Sequence, residues 1–316
     1  MTIRILALGA ALTAALAVPA AAQTRVTLKS AKAGSSYYQM AVEIAEAMER
    51  ATEGEVQVTV EESQGSVQNV MEVRARGADY VFTSPPALTT QAREAAGPFE
   101  GKGAPAFGEI RALFPMPSLT MHVVTDAEAG VERFEDLAGK TLLLGKGSFG
   151  ATEGEAYLDL FGLADQVTIA DVELSNAVPA LQNGQIDGFV TAGSFPPPNV
   201  VEAAATMEVD LLSMTDEQIA ETGRTRLVIP AGTYPGQEED VATTSLPVIA
   251  YATTAMDDDT AYEMTKAFWE NREAMAEAAP WWAGVTPDLL AAVEGAFHPG
   301  ALRYYEEAGI PLPSSM

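Results

Sequence analysis

The sequence predicts an α/β protein of two lobes, joined by two extended crossings with a cleft between them. Short β-branched runs alternate with amphipathic helical stretches, which is the order of a mostly parallel sheet. A helix–glycine–strand unit recurs about a hundred residues after its first occurrence. The 316 residues also exceed what one hydrophobic core usually organises.

The first elements form a β-α-β unit. Val26 and Leu28 mark a strand, and residues 56–60 alternate between valine and other residues as a second strand. Between them a helix is predicted whose apolar face is formed by Tyr38, Ala41, Val42, Ala45 and Met48.

The recurring unit is a short helix, a glycine stop and a buried strand. It spans residues 66–82 with Gly77 as the stop, and residues 175–190 with Gly184 as the stop. Internal duplication would explain the similarity. The helix–glycine–strand order that α/β proteins generally use would explain it equally. If the repeat is real, the two lobes are alike in construction.

Two extended, β-branched stretches, residues 118–125 and 243–253, are predicted to cross between the lobes. The first lobe is then discontinuous, with residues 23–123 and 246–316, and the second comprises residues 124–245. After the second crossing, an acidic start at residues 257–259 precedes apolar positions at helical spacing, which predicts a long C-terminal helix on the first lobe.

The N-terminus has the pattern of a cleaved export signal at residues 1–22. Arg4 precedes an apolar run that ends at Pro19 and three alanines, and this run is too short to span a bilayer. A retained anchor is the alternative. The chain has no cysteine, which excludes disulfides, a thiol nucleophile and a lipidated cysteine. We therefore expect a periplasmic protein without a lipid anchor.

The formal net charge of −26 excludes nucleic acid as a partner, because both are strongly negative. It says little about a small ligand, since nearby donors outweigh a distant, screened surface charge. We expect a monomer.

Residues 145–150 fit G-x-G-x-x-G after a predicted strand, and Asp171 lies about twenty residues further on, as in a dinucleotide-binding fingerprint. An exported oxidoreductase or other nucleotide-binding enzyme is thus the alternative function. Glycines before a helix N-terminus also bind other small anions, a carboxylate included. We expect a carboxylate against the amides of Gly147 and Ser148, helped by Lys32 or Lys146; a plain turn capped by Ser148, with solvent-exposed lysines, is the other interpretation.

Catalytic signals are weak. His122 and His298 are far apart without metal-ligand spacing, and no G-x-S-x-G occurs. Asp79 and Asp187 are predicted to accept backbone hydrogen bonds, and Trp281 with its neighbour is predicted to pack a helix. We expect no enzyme activity, no metal and no cofactor.

Seven segments together resemble the solute-binding subunits of the TAXI class of TRAP transporters, over nearly the whole chain after the leader. The most specific is F-H-P-G-A-L-R-Y-Y at residues 297–305. The others are residues 30–38, 65–69, 136–140, 145–152, 185–189 and 229–234.

The resemblance implies a type II periplasmic binding protein fold and delivery of a small organic acid or amino acid, glutamate-like or dicarboxylate, to an ion-gradient-driven TRAP membrane subunit. The ligand contacts it implies are Ser30, Gly34, Ser35, Ser36, Tyr37, Ser66, Asn69, Gly147, Ser148 and Thr152. Ser84 and Phe195 join them from segments that depart from the family pattern. Lys29 and Ser35 stand where the family commonly has glycine.

Overall fold

The computed structural model describes residues 23–33, 35–145, 148–194 and 196–313. The leader at residues 1–22 therefore lies outside the described residues. The strands are β1 (Thr24–Lys29), β2 (Val56–Glu61), β3 (Tyr80–Ser84), β4 (Ile110–Asp126), β5 (Thr141–Leu143), β6 (Thr168–Ile169), β7 (Gly188–Gly193), β8 (Val209–Leu211), β9 (Thr225–Ile229) and β10 (Val241–Thr253). The helices are α1 (Ser36–Ala51), α2 (Ser66–Glu72), α3 (Pro86–Glu94), α4 (Phe149–Leu160), α5 (Ala177–Gln182), α6 (Pro198–Thr206), α7 (Asp216–Thr222), α8 (Asp258–Ala278) and α9 (Pro299–Glu307).

A single curled, mixed sheet runs through the molecule in the order β2-β1-β3-β10-β4-β7-β5-β6. At one end β1 pairs in parallel with β2 and β3, and at the other β5 pairs in parallel with β6 and β7. The long antiparallel strands β4 and β10 lie between these two groups. The α/β fold with two long connecting strands is confirmed.

The pairing of β4 with β10 is irregular where the strands pass from one group to the other. Leu246 pairs with Leu119, but Val248 pairs with Met116, so one strand carries an extra residue there. Pro117 and Pro247 lie within this irregularity and have no amide hydrogen for the ladder. A bulge of this kind bends and twists the strands locally.

Buried apolar side chains form separate clusters on the two sides of this bulge. The first cluster runs from Val26 to Leu119 and resumes from Leu246 to Tyr305. The other two clusters lie between Met121 and Val241. We call the portion around the first cluster the first lobe and the portion around the other two the second lobe.

Helix α1 forms where the sequence predicts a helix, but its buried face is rotated from the predicted one. Tyr38, Val42 and Ala45 are only half-buried. The buried face comprises Ser36, Tyr37, Met40, Ala41, Ile44, Ala47 and Met48. Of the predicted face, Ala41 and Met48 are buried as expected. The rest is rotated because the helix starts at Ser36 and the Tyr37 hydroxyl donates to the Pro117 carbonyl, which fixes the rotation of the helix.

Both predicted helix–glycine–strand units are present, as α2 before β3 and α5 before β7. Each strand pairs antiparallel with one of the two long strands, β3 with β10 and β7 with β4. Asp187 accepts from the Thr141 amide at 2.7 Å, as predicted. The acidic start at residues 257–259 also begins a helix, because the Asp257 carboxylate accepts from the Thr260 amide at 2.8 Å.

Candidate functional site

A cavity of about 510 Å³ lies between the two lobes. Loops after β1 and β2 and the start of α1 line it from the first lobe. The starts of α4 and α6, the end of β7 and the turn before α5 line it from the second lobe. Leu119, at the irregular crossing of β4, lines it as well.

The N-terminus of α1 faces this cavity. Ser35 is the cap residue, and its hydroxyl accepts from the amide of Tyr38, the third residue of the helix, at 3.3 Å. Ser36 and Tyr37 occupy the first two helical positions and line the cavity. Their amides have no carbonyl one turn earlier to bond, so they are donors for a ligand.

The N-terminus of α4 faces the same cavity from the second lobe. The Ser148 hydroxyl caps it by accepting from the Ala151 amide at 3.0 Å, and Phe149 and Gly150 take the first two helical positions. The Ser148 amide itself donates to the Gly145 carbonyl at 3.0 Å. The Ser148 amide is thus engaged in the turn, and the amides of Phe149 and Gly150 are the ones without helical partners.

Two glycines allow close packing around these helix starts. A Cβ on Gly150 would lie 2.9 Å from the Ala192 nitrogen, so α4 sits directly on the end of β7. A Cβ on Gly193 would lie 2.7 Å from the Ser36 hydroxyl, across the boundary between the lobes. Side chains at these two positions would push the amides of α1 and α4 apart.

Six of the twelve predicted ligand contacts line the cavity: Ser30, Ser35, Ser36, Tyr37, Ser66 and Ser148. The ring of Tyr37 is buried in the first lobe, and this burial raises the pKa of its hydroxyl well above the usual value. Tyr37 therefore presents chiefly its backbone amide to the cavity, and its buried phenol ring does not cover a ligand. Gly34, Gly147 and Phe195, like Lys146, lie outside the described residues.

Asn69, Ser84 and Thr152 do not line the cavity. Asn69 is fully buried, and its amide nitrogen donates to the carbonyls of Ser30 and Thr83 at 2.7 and 2.9 Å, so it holds the loop that carries Ser30. Ser84 is also fully buried and donates to the Pro85 carbonyl. Thr152 is exposed on α4 one turn beyond the cap.

Sequence reasoning missed several lining residues, mainly in residues 173–178 and at the start of α6. Leu174 belongs to a short 3-10 turn, and Val178 follows in α5. A Cβ on Gly145 would lie 2.9 Å from Leu174, which shows how closely this turn packs against Gly145. Glu62 and Glu202 also line the cavity, and isolated surface glutamates carry no pattern that would identify them.

An ion pair joins the lobes at the cavity. The Lys32 ammonium lies 2.7 Å from a carboxylate oxygen of Glu173, with side-chain exposures of 26% and 56%. The alternative of a plainly solvent-exposed Lys32 is therefore wrong. Among the described lining residues, Glu62, Glu173 and Glu202 are acidic and Lys32 is basic.

Both histidines serve as structural residues, as predicted. The Tyr234 hydroxyl donates to Nε2 of His122 at 2.7 Å while Nδ1 donates to the Thr120 carbonyl, and burial lowers the pKa of His122 to about 4. His298 accepts from the Gly300 amide and caps α9.

The two tryptophans also pack a helix, as predicted, since both indoles donate to the carboxylate of Glu43 on α1. Within the described part of the chain, no cluster of three His, Asp or Glu side chains is arranged to hold a metal. Over the same residues, no helix has the length and apolar character needed to cross a bilayer.

Comparison with known proteins identifies the family of this chain and solved structures with a similar fold. Residues 28–309 match the model of the NMT1-like family. The chain belongs to the NMT1-like family. Among solved structures, periplasmic binding protein BugD aligns with a TM-score of 0.57 at 12% identity, covering 92% of this chain and 99% of BugD.

A protein from Bordetella bronchiseptica RB50 aligns with this NMT1-like chain with a TM-score of 0.53 at 18% identity, covering 90% of this chain and 98% of that protein. At such low identity these likenesses concern the fold alone. The NMT1-like chain therefore has the fold of periplasmic binding proteins, in agreement with the type II fold that the resemblance implied.

Proposed function

We propose that this chain is an extracytoplasmic solute-binding protein that captures a small carboxylate-bearing solute between its lobes. The observation that carries the proposal is the pair of opposed helix starts, α1 from the first lobe and α4 from the second, whose first two amides line one cavity. The positive ends of both helix dipoles point at the same space, which favours a bound anion. We propose binding rather than catalysis, because most polar groups that line the cavity are amides and hydroxyls. Both histidines are hydrogen-bonded elsewhere in the protein.

The lobes are proposed to comprise residues 23–123 with 246–316, and residues 124–245. The division of the buried clusters between Leu119 and Met121 supports the first boundary, and that between Val241 and Leu246 supports the second. Closure about the irregular β4–β10 crossing brings the α1 and α4 amides onto one ligand. The closed form then makes contacts that an open form lacks, so the solute shifts the population toward it.

The partner is proposed to be the membrane subunit of a TAXI-type TRAP transporter, on the strength of the sequence segments given above. Export through a cleaved leader to the periplasm, as a monomer, belongs to the same proposal. A nucleotide-binding enzyme would also place a helix soon after a strand, as α4 follows β5 here, so an experiment must distinguish the two functions.

A thermal-shift panel of amino acids, monocarboxylates, dicarboxylates, 2-oxo acids and nucleotides, applied to residues 23–316, makes that decision. A solute at a hundred times its dissociation constant stabilises the protein by about 2.7 kcal/mol, which is readily detected. The proposal predicts stabilisation by at least one carboxylate that is not a nucleotide. Stabilisation by nucleotides alone would replace the proposal with the enzyme.

A further inference from the structure

The lining of the cavity bears on whether the solute carries one carboxylate or two. We infer that the preferred solute carries one carboxylate on an apolar body, as in branched or aromatic monocarboxylates and amino acids, rather than two carboxylates. This inference rests on the proposed function and narrows the ligand of the same site. Three features of the cavity support it: the paired starts of α1 and α4, an apolar remainder and an acidic rim.

The amides of α1 and α4 define one place for an anion. Helix geometry leaves the amides of Ser36 and Tyr37 on α1 and of Phe149 and Gly150 on α4 without partners, and these residues line the same cavity from opposite lobes. The third position of each helix is already satisfied by its serine cap. One carboxylate accepts about four hydrogen bonds, so these amides suit one carboxylate.

Apolar side chains form the wall beyond the amides. Leu119 comes from β4, Leu174 and Val178 from the turn and helix after Asp171, and Phe149 from the start of α4. Phe149 belongs to the second lobe but packs against the apolar cluster of the first, so it closes the cavity with a hydrophobic contact. A cavity of about 510 Å³ is in the range of small-molecule sites, which leaves room for a body beyond the carboxylate.

Charges at the rim disfavour a second carboxylate. Glu62, Glu173 and Glu202 line the cavity from three different segments. Lys32 is the lysine among the described lining residues, and its ammonium lies 2.7 Å from a carboxylate oxygen of Glu173. Part of its positive charge is therefore already compensated within the protein. A dicarboxylate would bring its distal charge toward this acidic rim or bury it against the apolar wall, and both are costly.

The opposite assignment, a dicarboxylate held at both ends, needs a second group of donors. In the described lining, the polar side chains away from the starts of α1 and α4 include Gln64, Ser175, Ser66 at the start of α2 and Asn199 at the start of α6. These are hydroxyls and amides rather than cations. Neutral groups of this kind hydrogen-bond a hydroxyl or carbonyl as readily as a carboxylate. They do not compensate a second charge among three glutamates.

Calorimetric titration with two matched pairs of solutes tests the inference on residues 23–316. The pairs are leucine with glutamate, and 4-methyl-2-oxopentanoate with 2-oxoglutarate. Each pair keeps the head group and replaces a distal carboxylate by a branched apolar end of similar size. We expect the apolar member to bind at least tenfold more tightly in both pairs.

Tighter or equal binding of the dicarboxylate in either pair would overturn the inference and leave the proposed function standing. Failure of all four to bind would overturn the inference, while stabilisation by another carboxylate in the thermal panel would still support the proposed function. Val178→Thr, which keeps the side-chain shape but adds a hydroxyl, provides a second readout. It is expected to weaken the apolar member about tenfold, and an unchanged affinity would contradict the assigned wall.

Discussion

A negative charge at the cap of α4 is expected to weaken carboxylate binding at least tenfold without harming the fold. Ser148 caps this helix through its hydroxyl, and both aspartate and asparagine are good cap residues of nearly identical shape. Ser148→Asp therefore retains the cap and adds a charge beside the amides of Phe149 and Gly150. Ser148→Asn makes the same change of shape without the charge, so it is the matched control.

The size of the effect follows from the distance between the two charges. A solute carboxylate on the first-turn amides would lie about 5 Å from a carboxylate at the cap, and at an effective dielectric constant of about 20 their repulsion is about 3 kcal/mol. This corresponds to a loss of affinity of more than a hundredfold. Because Ser148 is only half-buried, salt reduces the repulsion, and at least a tenfold loss is expected in physiological buffer.

Titration calorimetry of the two variants, with the tightest carboxylate of the panel, measures this difference. The aspartate variant should lose affinity relative to the asparagine variant, and the loss should shrink as salt is raised. Thermal melts without ligand should show the aspartate variant as stable as the asparagine variant or more so, because a negative cap suits the helix dipole. Equal affinities of the two variants would refute the placement of the carboxylate on α4.

Three further predictions concern stability and closure. Glu153→Gln breaks a bidentate, largely buried ion pair with Arg224 and should lower the free energy of unfolding by about 3 kcal/mol in urea, whereas the exposed Glu155→Gln on the same helix should change it little. Glu173→Gln breaks the ion pair across the cleft and should weaken ligand binding several-fold, mainly through faster release in stopped-flow measurements; an unchanged release rate would contradict a role in closure. Because burial lowers the pKa of His122 from 6.5 to about 4, the unfolded chain binds more protons between these values, and the free energy of unfolding should fall by about 3 kcal/mol as pH drops from 6.5 to 4. A His122→Phe variant should lose this part of the pH dependence.

Local signals in the sequence predict much of the architecture. Serine and aspartate caps identify the starts of α1, α4 and α8, because a cap side chain and the helix it starts are neighbours in the chain. The two crossings are visible as β-branched stretches, and both are found in β4 and β10. These features depend on contacts between residues only a few positions apart.

Features that depend on packing between distant segments could not be predicted in the same way. The rotation of α1 is set by the contact of Tyr37 with Pro117, eighty positions away in the chain. Leu174 and Glu173 lie in a turn without periodicity, and only the folded chain brings them to the loop that carries Lys32. The family resemblance assigns Asn69 to the ligand, whereas in the structure its side-chain amide donates to the backbone carbonyls of Ser30 and Thr83.

A distance measurement across the cleft tests the central claim most directly. The absence of native cysteine allows spin labels to be placed at Val67→Cys on α2 and Val201→Cys on α6, which are exposed and adjoin lining residues of opposite lobes. Leu160→Cys with Val201→Cys, both in the second lobe, is the control pair. Pulsed electron double resonance should show that saturating carboxylate shortens the distance between the labels across the cleft and leaves the control distance unchanged. A cross-cleft distance that stays the same on saturation would contradict a solute clamped by closure of two lobes.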